Sequence, residues 1–176
     1  MRDTLQLFFA VLTLAALAGA VGIVIARLLA RRSTAAASVV DAFSGIALPL
    51  AWVVALTATL GSLYFSEIEH FEPCKLCWFQ RVFMYPLAII LGIAMARRDR
   101  KIWLYAVPLA AVGAAVSVYH YLVERYPSLD GGTCSAAVPC TFIWFEEFGF
   151  VTLPFMALSG FLFIIALLTL PAPQEA

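Results

Sequence analysis

The sequence predicts an all-α integral membrane protein, and composition, apolar run length and the lack of alternation within those runs predict it. Hydrophobic residues make up 64% of the 176 and charged residues only 12%, against roughly 45–50% and 25% in soluble domains. Mean hydropathy is +0.96. So few charges cannot cover the surface of a water-soluble globule of this size. Five stretches reach or approach the about 20 apolar residues that a helix needs to cross a hydrocarbon core about 30 Å thick. None shows the polar-in, apolar-out alternation of a β-barrel, and backbone groups in lipid must be paired within their own segment, which favours helices. Net charge is zero, so nothing suggests a nucleic-acid partner.

The first stretch runs from Leu5 to Leu29. It carries small-residue sites resembling signal-peptide cleavage sites at Ala16-Leu17-Ala18 and Ala18-Gly19-Ala20. Its positive charges, Arg27, Arg31 and Arg32, lie at or beyond its end rather than before it, so it reads as a retained helix and not a signal peptide. The second stretch covers Ile46 to Phe65 and the third Trp78 to Ala96, where Gln80 and Arg81 must sit at or just inside an interface. The fourth covers Trp103 to Val123 and the fifth Phe150 to Leu170. Pro86, Pro108 and Pro154 fall in the early turns of the last three, where a missing N–H can bend a helix.

Charge placement sets the expected topology. Arg27, Arg31, Arg32, Arg97, Arg98, Arg100 and Lys101 fall on one side, and Arg2, Lys75, Arg81 and Arg125 on the other. The concentrated set marks residues 30–45 and 97–102 as cytoplasmic, with the N-terminus outside and the C-terminus inside. Two outer loops result. Residues 66–77 are acidic and end in Pro73-Cys74-Lys75-Leu76-Cys77, while residues 124–149 hold turn signals at Tyr126-Pro127 and Asp130-Gly131-Gly132. Four aromatics and two carboxylates between Thr141 and Phe148 suit a short helix lying in the interface, or an aromatic belt without fixed helix.

All four cysteines fall in those outer loops or at their edge, on the side where a bacterial compartment is oxidising. Cys74 and Cys77 are two residues apart, where the third helix begins. Unpaired N–H groups and the helix dipole there stabilise a thiolate. Lys75 and Arg81 add positive potential, Glu72 opposes it, and structural zinc uses the same spacing. Cys134 and Cys140 have five residues between them around Pro139, close enough for a disulfide that serves equally as a loop staple or a redox pair. Two pairs on one face could pass electrons by exchange, with a lipid-soluble quinone as the natural final acceptor in a membrane. Arg81 follows Cys77 by four residues on the same helix face, placed to hold a quinone oxygen or to snorkel at the interface. His70 could shuttle a proton or be a polar loop residue; His120, near the outer end of the fourth span, marks the interface or a helix contact. Neither has a metal-ligand companion in sequence, so no metal site is expected.

Tyr64-Phe65-Ser66-Glu67, Pro73-Cys74-Lys75-Leu76-Cys77-Trp78-Phe79-Gln80-Arg81, Met84-Tyr85-Pro86, the Cys134–Cys140 segment and Gly149 to Leu158 together resemble the DsbB/BdbC family of disulfide bond formation proteins, closer to the BdbC branch. The resemblance implies a quinone-dependent thiol oxidase in a four-helix membrane domain over residues 45–170. Residues 1–44 form an extra N-terminal transmembrane helix and cytoplasmic linker that the family layout lacks, and residues 171–176 a cytoplasmic tail. It implies a multi-pass protein of the bacterial plasma membrane that reoxidises an extracytoplasmic thioredoxin-fold, DsbA/BdbD-like partner. The implied cofactor is a quinone, menaquinone or ubiquinone. Cys74 and Cys77 inherit the place beside the quinone, and Arg81 the quinone-proximal arginine. Cys134 inherits the mixed disulfide with the partner, with Cys140 as its resolving mate, and residues 141–148 the horizontal interfacial helix. The short spacing of the second pair suggests that exchange depends on motion of the whole 124–149 loop. The rival reading is a structural or transport protein whose loops are disulfide-stapled.

Overall fold

A computed structural model describes residues 2–135 and 137–171. Five α-helices account for most of them: α1 (Arg2–Leu29), α2 (Thr34–Leu63), α3 (Lys75–Arg97), α4 (Trp103–Arg125) and α5 (Leu153–Leu168). The first four are long and apolar enough to cross a membrane. The chain is a helical membrane bundle with several spans. Of the expected tail, all but Pro171 lies outside the described residues.

The helices begin and end where side chains can satisfy their terminal groups. Only residues 30–33 separate α1 from α2, because the Ser33 hydroxyl accepts the Ala36 N–H and caps α2. The expected linker over 30–45 is therefore mostly the first turns of a 30-residue helix, roughly 45 Å long at a rise of about 1.5 Å per residue. A π-helical turn, Tyr64–Ile68, carries α2 into the first outer loop. α3 ends on Arg98 in the left-handed region, with φ 55°. α5 has only 16 residues, roughly 24 Å. Pro154 lies at its first turn, where the missing N–H leaves no hydrogen bond unmade.

Each helix packs on its chain neighbours, α5 closes back on α1, and an α2–α5 contact crosses the middle. The core along α3 and α5 is built from Leu87, Leu91, Phe161, Ile164 and Leu167, all fully buried. Facing them are small residues, Ala51, Ala55, Ala106 and Ala110, which let helix backbones approach closely where lipid offers no hydrophobic drive for association. The outward faces carry exposed Leu28, Ile89, Ile93 and Leu104, a surface suited to hydrocarbon and not to water. At the end away from the cysteines, Arg27 donates to the Thr169 hydroxyl at 2.9 Å and ties α1 to α5.

One expected element is absent: residues 141–148 form no helix. Phe148 and Gly149 both take positive φ, 53° and 75°, and Glu147 pairs with Val151 in an isolated antiparallel bridge. Trp144 and Phe145 turn toward the first outer loop, while Phe142 and Phe148 stay exposed. Trp144 stacks on Phe71 at 4.8 Å between centroids, and Phe145 packs on Phe65 at 5.4 Å. Ring–ring contact with the first outer loop outweighs the local helix preference, and Arg125 of α4 adds an ion pair to Glu146.

Gly113 is the tightest approach in the bundle: a Cβ there would collide with the ring of fully buried Phe161. Gly113→Ala is therefore expected to cost roughly 1–3 kcal/mol by overpacking, read as a lowered Tm of the detergent-solubilised protein. Gly22→Ala, with nothing within 4 Å of the new methyl, should leave Tm unchanged or raise it slightly.

Candidate functional site: two cysteine pairs and a cavity at the outer end of the third helix

The start of α3 sets the site. Pro73 keeps the preceding chain extended, and Cys74 takes the N-cap position with φ −68° and ψ 171°. Its Sγ accepts the Cys77 backbone N–H at 3.3 Å, a sulfur version of the usual side-chain cap, and lies 2.8 Å from Cys77 Sγ. On its other side is His120 Nε2 of α4, 3.5 Å away. Cys74 is buried, yet its thiol pKa is lowered to about 5. The chief cause is the hydrogen bond from the Cys77 thiol. Burial acts against it, and His120 adds a further hydrogen bond and charge attraction. Cys74 is thus a thiolate at neutral pH.

The second pair is joined as the Cys134–Cys140 disulfide, with Cα atoms 5.8 Å apart. Cys140 is 1% exposed and sits in one buried cluster with Cys74, Leu76 and Val123, and Cys77 and Cys134 pack against that cluster. Cys134 remains partly exposed, its N–H bonded to Asp130 Oδ1 at 3.2 Å. Tyr119 of α4 donates its hydroxyl proton to the Leu129 carbonyl at 2.9 Å and holds the loop's first half down. The four cysteines therefore gather in one patch at the outer end of α3 and α4.

Cys77 faces another way, onto a cavity of about 560 Å³ bordered by α1, α2, α3 and α5. Its polar groups gather at the outer end. Arg81 Nη2 donates to the Ser62 carbonyl at 3.1 Å while its guanidinium lies over the Trp78 ring at 5.3 Å. Tyr85 Oη donates to Ser62 Oγ at 3.3 Å. The rest of the wall is almost wholly apolar. Volume and polarity match a site for a mainly apolar small molecule anchored by a few polar atoms.

Residues 44–170 match the family described as disulfide bond formation protein DsbB. The chain belongs to the DsbB family. Within it, the chain is 51% identical over 119 residues to a probable disulfide formation protein C of Bacillus cereus, covering 67% of this chain and 86% of that protein. It is 50% identical over 120 residues to the disulfide bond formation protein C of Bacillus subtilis, covering 68% and 87%. A probable disulfide formation protein C of Halalkalibacterium halodurans is 48% identical over 114 residues, covering 64% and 83%. No solved structure matches. Membership of the DsbB family makes the protein a thiol–disulfide oxidoreductase of the membrane, and the loop-staple reading falls away as a description of the whole.

Within this DsbB-family site, His120 is the residue that sequence reasoning undervalued. It is 2% exposed and lies against Cys74, so of its two expected roles it takes the helix contact, and it takes it at a redox cysteine. Its Nδ1 has no hydrogen-bond partner among the described residues. A readable signal was present: Ser117, His120 and Glu124 recur at helical spacing on one face of α4. That face is buried. Ser117 accepts from Gln80 at 3.2 Å, and Glu124 accepts from the Thr152 hydroxyl at 2.7 Å, as buried polar groups in a bundle require. Donor atoms of Cys74, Cys77 and His120 lie within 4.8 Å of one another, a set able to hold a soft metal ion through three of the four ligands of a zinc-like site. His70, by contrast, is exposed, with φ 56°.

The lowered Cys74 pKa gives a signed expectation. In protein whose first pair is reduced, ultraviolet thiolate absorbance should persist at neutral pH and disappear as pH falls through about 5. His120→Leu, which removes one stabilising contact, should move that midpoint upward.

Proposed function

We propose that this protein oxidises the dithiol of an extracytoplasmic thioredoxin-fold partner and delivers the electrons to a membrane quinone. The observation that carries the reading is the division of one CxxC pair between two surroundings: Cys74 belongs to the buried cluster that holds Cys140, and Cys77 lines the cavity together with Arg81.

The partner's thiolate attacks Cys134, the more exposed sulfur of the second pair, and Cys140 leaves as a thiolate. Cys140 attacks Cys74 of an oxidised Cys74–Cys77 pair, making a Cys74–Cys140 bond and releasing the Cys77 thiolate. The partner's second thiol then displaces Cys134, completing the partner's disulfide. Cys134 attacks Cys140 and restores the second pair, leaving Cys74 and Cys77 as thiols. The sulfur arrangement at this point matches the observed one, a Cys134–Cys140 bond with Cys74 and Cys77 free. Two electrons and two protons have moved from the partner to the first pair.

A quinone, menaquinone or ubiquinone, bound in the cavity would supply the acceptor for those two electrons and two protons, and Cys74 and Cys77 would then close their disulfide again. Arg81 holds an oxygen of the ring head and favours negative charge there. His120 stabilises the Cys74 thiolate, the group released at the end of the exchange. The basic ends of α1 and α3 face the cytoplasm and the cysteine loops the outside of the bacterial plasma membrane, which supplies both the oxidising surroundings and the quinone.

Purified protein mixed with quinone and a reduced thioredoxin-fold oxidant should consume quinone, and replacing any of the four cysteines with serine should reduce that to background. Arg81→Gln should raise the quinone KM by roughly tenfold or more, the loss of one charge-assisted hydrogen bond. A reduced partner whose second cysteine is replaced by serine should be held in a reducible adduct at Cys134, because no thiol is left to displace it. Full quinone consumption by Cys74→Ser would overturn the assigned order.

A further inference from the structure

The cavity beside Cys77 is not enclosed by the family-matched residues 44–170 alone. One wall comes from α1, through Phe9, Leu12, Thr13, Ala16 and Gly19, positions that recur on one face of the helix. α1 is seated by two close approaches at either end of that wall. A Cβ on Gly61 of α2 would lie 2.8 Å from the Phe9 ring, and one on Gly19 would lie 2.8 Å from the Phe163 ring of α5. Between these contacts α1, α2 and α5 all contribute residues to the cavity lining. Thr13 turns its hydroxyl onto the Phe9 carbonyl at 2.8 Å, so this wall offers little besides hydrocarbon.

The cavity is also long. Its α2 lining runs from Ser62, beside Arg81, to Phe43, about 28 Å along a helix axis. A quinone ring fills only the outer end of such a space. We propose that α1 forms one wall of a channel for the polyprenyl tail of the quinone, and so makes tail length a determinant of substrate affinity in this protein. The inference rests on the quinone reading above and adds a binding element outside the family's matched segment. The occupant is the quinone tail rather than a phospholipid chain because the polar end is built for a small neutral head. Arg81 is the one cation among its described lining residues, within a helical turn of a redox thiol, and Glu72 at the same end repels a phosphate.

The test uses the full chain. Ala16→Phe places a ring into the channel below the head, whereas Ala18→Phe points to the exposed side of the same helix and serves as the control. Ala16→Phe should raise KM for a long-tailed quinone by roughly tenfold, leave KM for a tail-less quinone unchanged, and leave the rate of exchange with the reduced partner unchanged. Ala18→Phe should match the unaltered protein with both quinones. A quinone carrying a photoreactive group on its tail should label α1 between Phe9 and Gly19. Equal KM values for the long-tailed quinone in Ala16→Phe and the unaltered protein would overturn the inference while leaving the quinone reading intact. So would labelling of α1 by a photoreactive phospholipid but not by the quinone. Failure of the unaltered protein to reduce either quinone would remove the quinone reading and this inference together.

Discussion

Helix geometry at the start of α3 decides what the rest of the molecule can do. An N-cap residue and the residue three positions on lie on neighbouring parts of the same turn, close enough for their sulfurs to be 2.8 Å apart. They still look out in different directions. Cys74 meets α4 and the second outer loop, and Cys77 meets the cavity between α1, α2, α3 and α5. A single reversible bond between them therefore couples a thiol beside the second outer loop to one that lines the cavity.

That arrangement places polar chemistry in surroundings where unpaired polar atoms are costly. The bundle meets the cost locally. Gln80 is bonded to Ser117, Glu124 to Thr152, and Arg81 to the Ser62 carbonyl near the end of α2. The N-terminal N–H groups of α3 need an acceptor in any case, and the Cys74 sulfur supplies it, so the cap that starts the helix also lowers the thiol pKa. Structural and chemical demands fall on the same atom. The aromatic stack of Phe65, Phe71 and Trp144 does similar double service, joining the two outer loops and bordering the outer end of the cavity.

The spans were legible because hydropathy reports directly on solvent, and lipid leaves the backbone few options. α1, α3 and α4 each begin or end within about three residues of the expected limits. α2 starts far earlier than expected, since Thr34 to Gly45 is weakly apolar and only the Ser33 cap marks its start. The 141–148 segment has the composition of an interfacial helix and forms none, because its rings find partners in a loop some seventy residues away in sequence, which local periodicity cannot register. The cysteine pairs were visible as pairs, and Arg81 as a residue on the Cys77 face. Their meeting point was not, because it depends on how the 124–149 loop returns over α4. His120 was hidden for the same reason: alone at a helix end it resembles any interfacial histidine, and only the packing of α4 against α3 brings it to Cys74.

The relay requires Cys74 of the first pair and Cys140 of the second, members of one buried cluster, to meet and exchange. A chain carrying Cys77→Ser together with Cys134→Ser keeps only those two thiols. Mild oxidation of membranes containing it, followed by proteolysis and mass spectrometry, should recover a peptide pair joined through Cys74 and Cys140. Recovery of both cysteines as separately alkylated thiols under conditions that oxidise the unaltered protein would contradict the relay.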